Sequence, residues 1–109
     1  MGQLASLVPD PINGQLDALL HQPVRTRLVA FLAARGEATF NEIKAAISIT
    51  DGNLDSHLKK LTLARYISSR KETGDDGRSQ TFYVLTRLGE RQFRKYVAAL
   101  QNILSLNST

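Results

Sequence analysis

Residues 50–61, TDGNLDSHLKKL, gather Asn53, Ser56, His57, Lys59 and Lys60 into one short stretch behind a threonine. Amide, hydroxyl and imidazole groups both donate and accept hydrogen bonds, and ammonium groups neutralise anions. Leu54, Leu58 and Leu61 recur at i, i+4 and i+7, so a helix here turns the leucines inward and the polar set outward. His57 falls at the edge between the two faces. An outward surface of small polar and cationic side chains suits a DNA major groove, where amides and hydroxyls meet base edges and cations meet phosphates.

Other elements must hold that helix out from the body. Thr39-Phe40-Asn41-Glu42 matches the capping box S/T-x-x-E and opens a helix to about Ala46, with Phe40, Ile43 and Ile47 inward. Ser48-Ile49-Thr50 then makes the turn, with Ile49 plugging the core and Thr50 capping the second helix. Two short helices joined by three or four residues form a helix-turn-helix. Upstream, Asn13 is placed to cap a short helix through Leu20, with Leu16, Leu19 and Leu20 on one face. Pro23 opens the next helix at its first position and Gly36 ends it, with Val24, Leu28, Phe31 and Leu32 buried. Residues 37–39 form a short strand or an extended link. Downstream, 66–73 and 79–86 read as paired strands around the turn residues Gly74, Asp75, Asp76 and Gly77. Thr86 caps a last helix through about Leu104. Its stripe Phe93, Tyr96, Val97, Leu100, Ile103 and Leu104 is longer than a small core can cover.

Composition bounds the rest. A chain of 109 residues with 42% hydrophobic and 22% charged residues makes about one ordinary globular domain. It has no cysteine, which excludes disulfides, thiolate metal sites and cysteine nucleophiles and fits the cytoplasm. Apolar runs fall far short of a membrane span, and MGQLASLVPDP lacks the basic start and apolar core of a secretory signal. His21 and His57 stand apart, with no metal-ligand spacing and no nucleophile–base pairing around them. No enzyme, metal or cofactor is therefore expected. The net charge of +4 is uneven: 1–58 sums to −2, 59–95 to +6, and the last fourteen residues are uncharged. Positive charge is concentrated from the second half of the polar helix through the hairpin, as on a surface facing phosphates.

HQPVRTRLVAFLA, TFNEIKAAI, TDGNLDSHLKKL, RYISSRKE and TFYVLTRLGERQF, in that order, resemble a winged helix-turn-helix transcriptional regulator of the small one-domain MarR/ArsR-like bacterial group. The resemblance spans about 16–100. It implies a mainly α fold with a small β-hairpin, a reading helix at 51–64 in the major groove, and a wing at 66–86. It also implies N- and C-terminal helices that form a homodimer on a two-fold operator. Two residues depart from the family pattern: Asp55 where serine is common, and Arg65 where glycine usually links the reading helix to the wing.

The expected organisation is a tail at 1–11, a winged helix domain with its first helix at 12–86, and a dimerisation helix at 87–109. Expected DNA contacts are Thr50, Asp51, Asn53, Asp55, Ser56, His57, Lys59 and Lys60 on the helix, with Arg70, Lys71, Arg78 and Gln80 on the wing. The expected dimer seam is Leu16, Leu19 and Leu20 against Phe93, Tyr96, Val97, Leu100, Ile103 and Leu104. Partners are double-stranded DNA and a second copy, with no membrane. The competing reading is a winged helix used for protein–protein contact, supported by Asp51, Asp55, Asp75 and Asp76 on the same surface.

Overall fold

A computed structural model describes residues 16–107; the expected tail and the Asn13 cap lie outside the described residues. The described elements run α1 (Pro23–Arg35), β1 (Glu37–Thr39), α2 (Phe40–Ile47), α3 (Asp51–Leu63), β2 (Ile67–Thr73), β3 (Ser79–Leu85) and α4 (Arg87–Asn107).

Local chemistry sets most boundaries. Pro23 stands at the start of α1, where a missing N–H costs nothing, and the Gln22 side chain accepts from the Arg25 N–H. Both halves of the capping box form at α2: Thr39 Oγ1 accepts from the Glu42 N–H, and the Glu42 carboxylate accepts from the Thr39 N–H. That second bond is the main cause holding the Glu42 carboxyl below its usual pKa. Thr50 Oγ1 accepts from the Asn53 N–H at 3.3 Å to begin α3, and Thr86 Oγ1 accepts from the Gly89 N–H at 3.0 Å to begin α4.

The residues before α1 differ from expectation. Among those described, 16–22 hold one turn instead of a helix reaching Leu20. Asp17 Oδ1 accepts from the N–H groups of Leu19 (2.8 Å) and Leu20 (3.3 Å), and the His21 N–H closes on the Asp17 carbonyl. The carboxylate takes amides that a helix running in from upstream would direct to earlier carbonyls.

Residues 37–39 are a strand, and the hairpin becomes a three-stranded antiparallel sheet in the order β1-β3-β2. Ala38 pairs with Tyr83, and Ile67 with Leu85. Ala38, Ile67 and Leu85 point into the core, where they join Leu28, Val29 and Leu32 of α1, Ile43 and Ile47 of α2, and Leu54, Leu58 and Leu61 of α3. Val24, Phe31, Phe40 and Ile49 are half-buried around it.

The junction from α3 to β2 is a Schellman ending. The Tyr66 N–H reaches the Leu61 carbonyl at 3.0 Å and the Arg65 N–H reaches that of Thr62 at 2.9 Å. Arg65 therefore takes the left-handed conformation, φ +65°, that glycine adopts without strain. Tyr66 ties three elements together: its phenol donates to Asp17 Oδ2, its carbonyl accepts from the Thr86 N–H at 3.0 Å, and Gly89 packs on that carbonyl. A Cβ at Gly89 would lie 2.0 Å from the Tyr66 oxygen, so no other residue fits there unmoved.

Candidate nucleic-acid interface

The three leucines that anchor α3 leave its opposite side open. Thr50, Asp51, Asn53, Asp55, Ser56, Lys59 and Lys60 are exposed, and His57 is half-buried at the edge. The structure thus gathers the helical part of the expected contact set on one surface.

Two carboxylates on this surface have cationic partners. Lys59 Nζ lies 2.9 Å from Asp55 Oδ2, one turn away, and Lys44 Nζ of α2 lies 2.7 Å from Asp51 Oδ1. Exposed pairs of this kind add little stability. They do cancel negative charge where phosphate would approach. Among the described residues Lys60 and Lys71 have no carboxylate partner and remain free cations.

Strand alternation divides the wing residues. Arg70, paired with Phe82, and Gln80, paired with Glu72, lie on the sheet face away from the core. There the Arg70 guanidinium contacts Glu37 and Glu72 and sits 4.5 Å from the Phe82 ring centre. It is a clamp across all three strands. Lys71 shares the other face with Ser69 and Tyr83, the face that borders α3. At the tip, Asp76 is turned into the loop: its Oδ1 accepts from the Arg78 N–H at 3.0 Å, and Gly77 closes the turn at φ +78°.

Between α3 and the wing runs an open groove of about 400 Å³, lined by Asp55, Leu58, Lys59, Thr62, Leu63, Ser69 and Tyr83. Leu63 stands 83% exposed at its lip. Burial pushes the Tyr83 phenol pKa up, and the nearby Asp55 carboxylate adds to the effect.

His57 has a partner that sequence reasoning missed. Arg25 Nη1 lies 3.2 Å from His57 Nδ1, while Arg25 Nε donates to the Leu19 carbonyl at 2.5 Å. Burial, then Arg25, then Lys60 lower the imidazole pKa below its ordinary value. The two residues are 32 positions apart, and no local spacing signals their contact.

Leu16, Leu20 and Tyr96 of the expected dimer seam are buried within the chain itself. Leu19, Phe93, Val97, Leu100 and Ile103 are half-buried against the core, and Leu104 is 59% exposed. His21 Nδ1 meets the Tyr96 hydroxyl at 2.9 Å. Among the described residues no cluster of three or more potential metal ligands exists, and no helix is long and apolar enough to cross a membrane.

A family model described as a winged helix DNA-binding domain matches residues 24–104. An uncharacterized protein of Methanocaldococcus jannaschii is 32% identical over 79 residues, covering 72% of this chain and 85% of that protein. Among solved structures, the transcriptional regulator homologue of Pyrococcus horikoshii superposes with a TM-score of 0.81 at 25% identity, covering all of both chains. A MarR family transcriptional regulator of Silicibacter pomeroyi gives 0.67 at 18% identity over 95% of this chain and 68% of that one, a likeness of fold.

Proposed function

The chain belongs to the winged helix DNA-binding domain family, a family of non-enzymatic regulators, and on that premise we propose that it reads a two-fold operator as a homodimer. The observation that carries this reading is the outward surface of α3, open along its length with two of its acidic residues already paired. Asn53 and Ser56, near the helix start, are the base-edge readers, with Thr50 and His57 beside them. Lys60, Lys71 and Arg78 meet phosphates, and Lys59 divides its charge between phosphate and Asp55. Arg70 serves the wing's own structure first.

Pairing of Asp51 and Asp55, and the role of Asp76 in its turn, favour a DNA-facing surface over a protein-binding one. Dimerisation would use the exposed and half-exposed side of α4 toward its end, with Leu100, Ile103 and Leu104. A DNA partner fits a cytoplasmic chain.

Selection of bound duplexes from a random library tests the reading, with a salt titration alongside. The expected result is an inverted repeat with half-sites one helical turn or a multiple apart, and an affinity that falls steeply with salt. Absence of binding to any duplex at low salt overturns it.

A further inference from the structure

His57 meets a donor from outside the helix-turn-helix, and that donor dictates its hydrogen-bonding direction. Arg25 belongs to the first turn of α1 and is held at both ends. Its N–H donates to Gln22 Oε1 at 2.8 Å, and its Nε donates to the Leu19 carbonyl at 2.5 Å. Its free Nη1 lies 3.2 Å from His57 Nδ1.

A guanidinium has donors and no acceptor, and it does not lose its proton. His57 Nδ1 must therefore offer its lone pair, and the proton of the neutral ring must sit on Nε2. A second proton on Nδ1 would face the Arg25 donor with no lone pair to receive it, beside the Lys60 ammonium on the same helix. The ring is thus an uncharged donor through Nε2, the nitrogen not engaged by Arg25. It lies four residues after Asn53 and three before Lys60, so the three form a row along α3.

We propose that Arg25 is a positioning residue for sequence reading: it fixes His57 as the Nε2–H tautomer, so that α3 presents a donor to a base-edge acceptor, such as purine N7 or guanine O6, in the major groove. The proposal rests on the DNA-reading function above. It makes a helix outside the helix-turn-helix responsible for one position of the operator.

The test begins on the free wild-type chain at neutral pH, by nitrogen-15 spectroscopy of the imidazole. The expected signature is a protonated Nε2 and an unprotonated Nδ1 at His57. A protonated Nδ1 overturns the proposal without any DNA present. Arg25→Met should leave a mixture of tautomers. Arg25→Glu, which supplies an acceptor, should move the proton to Nδ1, a change that mere loosening of the fold would not produce.

Library selection then compares the wild type with His57→Ala and Arg25→Met. Both variants should lose about tenfold of the preference at the same base pair. Affinity for random duplex at low salt should change far less. Wild-type specificity that survives His57→Ala at every position overturns the tautomer's reading role alone, as does a uniform loss across all sequences, which marks a phosphate contact. Failure of the wild type to bind any duplex removes the DNA reading and this proposal together.

Discussion

The Asp55 carboxylate lies 2.9 Å from the Lys59 ammonium, four residues along the exposed side of α3. On the proposed DNA-facing surface an aspartate would be a cost to binding unless something cancels it, and this pair would supply the cancellation. Asp55→Ala should raise affinity for random duplex severalfold at low salt, because it releases Lys59. Lys59→Ala should lower it by more than Lys60→Ala does, since it also uncovers Asp55. A double-mutant cycle over Asp55 and Lys59, read by fluorescence anisotropy, gives the coupling. Additive effects would mean that the two do not act as a pair near DNA.

Lys60→Ala and Asn53→Ala should separate affinity from specificity. Loss of the free Lys60 charge weakens all duplexes alike and reduces the log–log salt slope by about 1. Loss of the Asn53 amide relaxes preference at one base pair by ~1–3 kcal/mol and leaves the slope unchanged. Two variants with the same salt profile and the same selected sequence would contradict the assignment.

Arg65 carries a side chain at φ +65°, where the Schellman ending favours glycine. Arg65→Gly should relieve ~0.5–1 kcal/mol of strain, less what the freer unfolded chain takes back, and so raise the melting temperature slightly. Thermal unfolding in free protein reads it directly. A drop in melting temperature would show that the Arg65 side chain makes up for its backbone.

The opposite sign is expected at Gly89. A methyl group 2.0 Å from the Tyr66 carbonyl oxygen must push α4 off its seat. Gly89→Ala should therefore cost ~1–3 kcal/mol or more in denaturant unfolding. A neutral result would require the α4 start to have slack that its hydrogen bonds to Thr86 do not allow.

Stability should also depend on pH through His57. Its pKa is lowered in the folded chain, so folding disfavours the imidazolium. Its contribution is complete above the unfolded value of about 6.5 and is lost as pH falls through the lowered one. Arg25 and Lys60, the charged groups that face it, are both positive and stay positive over that range. Denaturation midpoints measured down through mildly acidic pH should fall, and His57→Gln should flatten that part of the curve. An identical slope in the variant would assign the effect to another group.

Sequence reasoning succeeded where the determining contact is local. The Thr39–Glu42 box, the Thr50 and Thr86 caps, Pro23 and the glycine-bounded wing turn each act within about five residues, and all form as read. Asp55 and Lys59 are likewise one turn apart. What was illegible is long-range. The Arg25–His57 contact spans 32 residues, and Arg70 reaches Glu37 across 33. The β1 strand exists because β3 supplies its partner groups from more than forty residues downstream. Asp17 illustrates a subtler miss: its side chain competes with backbone carbonyls for amides, and periodicity alone cannot reveal that competition.

Tyr66 has a mechanical consequence. One residue closes the end of α3, bonds to Asp17 ahead of α1, and accepts on its carbonyl from the N–H of Thr86, the residue that caps α4, with Gly89 packed against that carbonyl. α4 and α3 are joined at this point through Tyr66. In the proposed two-fold assembly joined through α4, this junction would turn the crossing angle of the two long helices into the span between the two copies of α3. A change of a few degrees at that crossing, amplified along the 21 residues of α4, would move the reading helices out of step with the repeat of the duplex.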